Sequence, residues 1–205
     1  MTTIILRSSV GALALLITSY ASAATVTYVA SLNGAGQAPP VTTPATGFAT
    51  LTLDGDTLSI VETFSGLIGG AATVSHLHCC TLPGGSSNPA SVVFPEFPAA
   101  TSGSYSASFN LLDPGFYTVG TPANPGFLLL NGGTAAGAEA ALIAALNSGQ
   151  AYVNIHDAVY PAGEIRGNFT MTPEPGTFGL AGVILAFVAP MMSCSRIRKR
   201  RYSAE

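Results

Sequence analysis

From residue 24 to residue 171 apolar and polar side chains alternate over short runs that end in turn residues, the period-two signature of half-buried β-strands. The run over 48–53 is the clearest. Ala49, Leu51 and Leu53 fall on one side of the pleat and Phe48, Thr50 and Thr52 on the other. Asp54-Gly55 then turns the chain into a second run over 58–64, so the two read as a hairpin. Further strands are expected over 24–32, 71–78, 102–110, 150–156 and 163–171. One stretch has helical spacing instead: Thr134 caps it, 135–146 is alanine-rich with Leu142, Ile143 and Leu146 on one face, and Gly149 stops it. That face is expected to cover one end or edge of the sheet. Residues 79–101, with Pro83, Gly84, Gly85, Pro89, Pro95 and Pro98, read as a loop or irregular edge. The pattern predicts an all-β fold, an antiparallel Greek-key sandwich or barrel of about seven strands with one short helix.

The two ends of the 205-residue chain follow a different grammar. Residues 1–23 read as a signal peptide: Arg7 supplies the positive start, 10–18 an apolar stretch too short to span a bilayer, and Ala21-Ser22-Ala23 the small residues that a signal peptidase cuts after. Residues 173–205 begin with Pro173-Glu174-Pro175, continue into an uncharged run over 178–194, and end in a basic tail over 196–201. That run of 17 residues is at the lower limit for a transmembrane helix. The basic cluster is expected to stay cytoplasmic, which orients everything before Pro173 outward. The order and spacing of these parts resemble the PEP-CTERM sorting signal of Gram-negative bacteria that make extracellular polysaccharide. The resemblance implies export across the inner membrane, a transient membrane anchor, and removal of the tail by an exosortase-type membrane protease that recognises Pro173, Glu174 and Pro175. The product would then stay at the cell surface or be secreted.

Without its ends the chain is strongly acidic. Arg166 is the sole basic side chain from 24 to 172, against the eight acids Asp54, Asp56, Glu62, Glu96, Asp113, Glu139, Asp157 and Glu164, a balance of about minus seven. A lysine-free acidic surface repels phosphate backbones, so nucleic acid is excluded as a partner.

The chain's three histidines are His76, His78 and His156. On a strand, His76 and His78 point one way and Leu77 the other; Tyr152, Asn154 and His156 likewise share a face, with Val153 and Ile155 opposite, toward the core. If the two strands pair, three imidazoles converge in a set that suits copper or zinc. The bland alternative is three histidines that bond neighbouring carbonyls. Cys79 and Cys80 follow His78 at once and have three possible fates: thiolate ligands, a disulfide with each other, or no pairing. Glu164 and Arg166 share a strand face and are expected to form an ion pair.

A second resemblance spans 24–171. Leu32-Asn33-Gly34-Ala35-Gly36-Gln37-Ala38-Pro39-Pro40, Ala45-Thr46-Gly47-Phe48-Ala49, Phe64-Ser65-Gly66-Leu67, His76-Leu77-His78, Tyr152-Val153-Asn154-Ile155-His156 and Tyr160-Pro161-Ala162-Gly163-Glu164-Ile165-Arg166-Gly167 look like the CHRD domain, in order. That family takes its name from repeats in the animal morphogen antagonist chordin and also occurs in bacterial exported proteins; its molecular function is not established. Domain boundaries follow as a signal peptide over 1–23, a CHRD-like β domain over 24–172 and the sorting signal over 173–205. The expected function is a non-enzymatic cell-surface or extracellular-matrix module, with extracellular polysaccharide as a candidate partner. The alternative is a metal-binding or redox domain built on the histidines.

Overall fold

The computed structural model describes residues 25–86 and 89–173. The expected signal peptide at 1–23 and the sorting segment beyond Pro173 lie outside the described residues. Strands β1 (Val26–Asn33), β2 (Thr46–Asp54) and β3 (Thr57–Ser65) form a meander, with Gly55 at φ +55° in the β2–β3 turn. The chain then crosses to the other flank for β4 (Ala72–His78) and the two-residue β5 (Val92–Val93), and returns to β3 as β6 (Gly103–Asn110). Later come β9 (Tyr152–Asp157), β10 (Ile165–Asn168) and β11 (Thr170–Met171), which fill the middle. The order across the sheet is β5-β4-β9-β10-β1-β2-β3-β6, with β11 also on β1 and every pairing antiparallel. Between β5 and β9 a small hairpin, β7 (Gly120–Thr121) with β8 (Asn124–Pro125), stands apart from the main sheet.

The all-β expectation holds, in the form of one curled sheet that makes a half-barrel. Period-two alternation sends Leu51, Leu58, Ile60, Leu77, Val153, Ile155 and Ile165 inward, where each is almost wholly withdrawn from water. Burial of side chains of this size stabilises by about 1.5–3 kcal/mol apiece. Side chains, rather than backbone ladders, close the open side. Phe94, just after β5, has its ring 5.6 Å from Tyr105 and 6.2 Å from Phe109 of β6. Ser75 of β4 reaches across the interior to Glu62 of β3, with oxygen separations of 3.1 and 3.3 Å.

The predicted helix is α2 (Ala135–Asn147), preceded by the single helical turn α1 (Phe127–Leu130). Thr134 Oγ1 accepts the Gly137 N–H at 3.2 Å as an N-cap, and Gly149 at φ +70° ends the helix in the left-handed conformation that glycine adopts freely. The buried face comprises Ala138, Leu142, Ala145 and Leu146, with Ile143 only half-buried beside it. Asn147 Oδ1 accepts the Tyr28 hydroxyl at 2.6 Å, which ties the helix to β1.

Candidate metal centre

Strands β4 and β9 do pair, and their register decides what meets. Val74 lies opposite His156, His76 opposite Asn154 and His78 opposite Tyr152, while Ser75 faces Ile155 and Leu77 faces Val153. Directly opposed residues project to the same side of a sheet. One side therefore carries the three histidines with Tyr152 and Asn154, and the other carries Leu77, Val153 and Ile155 into the barrel core. His76 Nδ1 lies 3.1 Å from His156 Nε2, and one ring nitrogen from each histidine falls within 4.8 Å of the other two. The ring centroids are 4.7 Å apart for His76 and His156 and 5.5 Å apart for His76 and His78.

A tight turn fixes the third histidine. The Asp157 carboxylate accepts the Val159 and Tyr160 amides at 2.9 and 2.8 Å, and the Gly163 amide bonds Tyr160 O at 2.9 Å. This brings Pro161 O to 2.9 Å from His156 Nδ1. A carbonyl only accepts, so Nδ1 carries the proton and the Nε2 lone pair faces His76. Gly163 is required in the turn: its φ is +108°, and a Cβ there would meet Gln37 Nε2 at 2.4 Å and Asn154 Nδ2 at 2.9 Å. Burial, with the His156 charge adding to it, pushes His76 down to about 4; burial also lowers His156, against the pull of Pro161 O. Both imidazoles are thus neutral at physiological pH, the form that ligates metals.

The face around the cluster is more enclosed than strand alternation implies. All six residues of β9 are buried, His78 and His156 at 8 % and 9 % exposure, because loops cover the outer side of that strand. His78 stacks on Tyr152 with centroids 4.7 Å apart and planes 3° from parallel, and the Arg166 guanidinium lies 3.4 Å from the Tyr152 ring centre. A cavity of about 360 Å³ opens beside this stack. A cleft of similar size, about 390 Å³, lies between Val93 and Phe116 and has Asp113 as its one charged lining residue.

One open alternative closes, and one expectation changes. The Cys79 and Cys80 sulfurs are bonded to each other, so in this state neither offers a thiolate, and the converging ligand atoms are those of the histidines. Glu164 and Arg166 do not form an ion pair. Glu164 instead accepts the Ile68 and Gly69 amides at 3.1 Å and the Thr43 hydroxyl. Burial raises this carboxyl, but hydrogen bonds from Asp157, Thr43 and the two amides outweigh it and hold Glu164 below the usual carboxylate range. Donors from a neighbouring loop have replaced the cation that sequence spacing suggested. The spacing also gave no sign that Tyr152 would bridge Arg166 to His78, although Tyr152 shares the face of His156 in the pattern itself.

A CHRD domain model matches residues 28–169, and the chain belongs to that family. The match covers all but the first two residues of the meander, both histidine strands and the turn that orients His156. No curated protein and no solved structure gives a match.

Proposed function

We propose that this chain is a non-enzymatic, exported surface or matrix module whose CHRD domain holds one copper or zinc ion on His76, His78 and His156. The convergence of three imidazoles, with the His156 lone pair already oriented by Pro161 O, carries the reading. Bonds of about 2.0–2.1 Å place two nitrogens on one ion roughly 3–4 Å apart. The 3.1 Å pair already meets this, and all three ligand atoms lie within 4.8 Å of one another, a spread that small side-chain rotations close. Three protein ligands leave a position open to water or another donor. Opening the Cys79–Cys80 bond would add two thiolates directly after His78.

Equilibrium dialysis of the full chain against zinc or copper, followed by elemental analysis, is expected to give one ion per chain. His76→Ala, His78→Ala and His156→Ala should each weaken binding at least about tenfold, the loss that even outer-sphere partners of metal ligands produce. A triple variant that binds as the parent does would overturn the site. Dialysis after reduction separates a pure histidine site from one that recruits Cys79 and Cys80.

The exported reading rests on the two chain ends and has its own test. The mature protein is expected to begin near Ala24 and to lack the basic tail, through the successive action of signal peptidase and an exosortase-type protease. Intact-mass measurement of the exported product checks both cuts, and a mass that retains 196–205 counts against processing at Pro173-Glu174-Pro175.

A further inference from the structure

Arg166 is the sole basic side chain from 24 to 172 and is 2 % exposed, yet no carboxylate among the described residues pairs with it. Its Nη1 donates to Gly85 O at 2.5 Å and its Nη2 to Asn168 Oδ1 at 3.5 Å, while Nε has no partner among the described residues. Folded proteins seldom leave a buried cation without an anion, because the desolvation cost is then uncompensated. Two more buried groups nearby are in the same position. Gln37 Nε2, on a side chain 7 % exposed, is a donor with nothing to bond among the described residues. Asn154, 3 % exposed, gives its Nδ2 to Ala162 O at 3.3 Å, which fixes the amide orientation and leaves Oδ1 as an acceptor without a donor.

All three side chains line the 360 Å³ cavity that borders His78 and His156. We propose that this cavity is a binding site for a small hydroxycarboxylate. Arg166 Nε, Gln37 Nε2 and Asn154 Oδ1 are closed to water in this state. After a small shift of the side chains that cover them, the carboxylate answers the Arg166 charge and the Gln37 donor, while the hydroxyl donates to Asn154 Oδ1. Arginine's planar fork favours a carboxylate in particular. The volume falls at the small end of ligand sites, about 300–1,000 Å³. The net negative charge of residues 24–172 repels an extended polyanion, whereas the cavity, with Arg166 as its one charged lining residue, admits a single compact anion. The site stands independently of any metal on the histidines, since none of its three recognition groups is an imidazole.

Calorimetric titration of the full chain, stripped of metal on a chelating resin, tests the site with glycolate as probe. Glycolate is expected to bind saturably at one per chain, and acetate, which lacks the hydroxyl, about 3–10-fold more weakly, the worth of one hydrogen bond. Arg166→Met should abolish binding, and Arg166→Lys should weaken it by loss of the fork. Gln37→Leu, which leaves the Arg166–Tyr152 stack in place, should weaken it about tenfold with an unchanged circular dichroism spectrum. Absence of saturation, equal affinity for acetate and glycolate, or unaltered binding by a folded Gln37→Leu chain would overturn the proposal.

Discussion

Between pH 6.5 and pH 8 the metal-stripped chain is expected to lose about 1 kcal/mol of folding stability, and the Glu62→Gln chain to lose none. Glu62 is wholly buried in the barrel interior, between the alternating core positions Ile60 and Phe64 of β3. Burial pushes its carboxyl up to about 8, with the Ser75 hydrogen bond pulling weakly the other way. Below its ordinary value of 4.5 the folded and unfolded chains both hold the proton, and the group's contribution is intact. As the pH rises from there the unfolded chain ionises while the folded chain does not, so stability falls by about 1.4 kcal/mol per pH unit. The loss levels off above 8, where the native carboxyl ionises as well. The histidines work in the opposite sense: His76 and His156 are lowered on folding, so their contribution is complete above 6.5 and is lost as the pH falls below it. From 6.5 to 8 the unfolded imidazoles shed their remaining proton, which returns a few tenths of a kcal/mol apiece, so the net decline belongs to Glu62.

Glutamine keeps the size and a donor toward Ser75 Oγ, which itself lies 3.1 Å from Asn154 O, so the network stays connected without a titrating proton. Denaturant unfolding at the two pH values reads the difference. A parent chain with equal stability at both, or a Glu62→Gln chain with the parent's decline, would show that the interior carboxyl is already ionised or solvated.

Glu62 also shows how far the pattern could be read. Period-two spacing places position 62 on the same side as Leu58, Ile60 and Phe64, whereas an ionisable side chain argues for the surface. At Leu51 and Leu53 chemistry and periodicity agree; at Glu62 they conflict, and periodicity prevails because the proton stays on the buried carboxyl. The histidine face was legible because i and i+2 spacing holds on any strand, and the pairing of β4 with β9 supplied the long-range step. The enclosure of that face was not. The residues that cover β9, from Gln37 to the turn at Pro161, are remote from it in sequence or depend on how a loop folds back. The Arg166–Tyr152–His78 stack likewise arises from two strand pairings at once, β10 with β9 and β9 with β4. The segment from β6 to α2 is legible only at its helix, because β7, β8 and α1 span two to four residues each, too few for any periodicity to register.

Leu77→Ala and Ile155→Ala are each expected to cost about 2–5 kcal/mol while leaving metal affinity unchanged in the folded protein. Both side chains are 0 % exposed and point into the barrel, where shortening them removes apolar contacts and leaves a cavity that the close-packed sheet cannot fill by collapse. In a chain of this size each kcal/mol lowers the midpoint by roughly 2–4 °C, so the melting temperature should fall by about 5–20 °C. Their strand neighbours His76, His78 and His156 face the other way, and their replacement is expected to act on metal binding first. The two sets of positions alternate along the same two strands, so backbone disturbance cannot separate them; only the direction of the side chain does. Paired measurement of melting temperature and metal affinity across the five alanine variants is therefore decisive. A Leu77→Ala chain that stays as stable as the parent but loses the ion would invert the assignment of faces. Loss of both properties together in every variant would mean that the cluster and the core form one cooperative unit, with the histidines as packing residues.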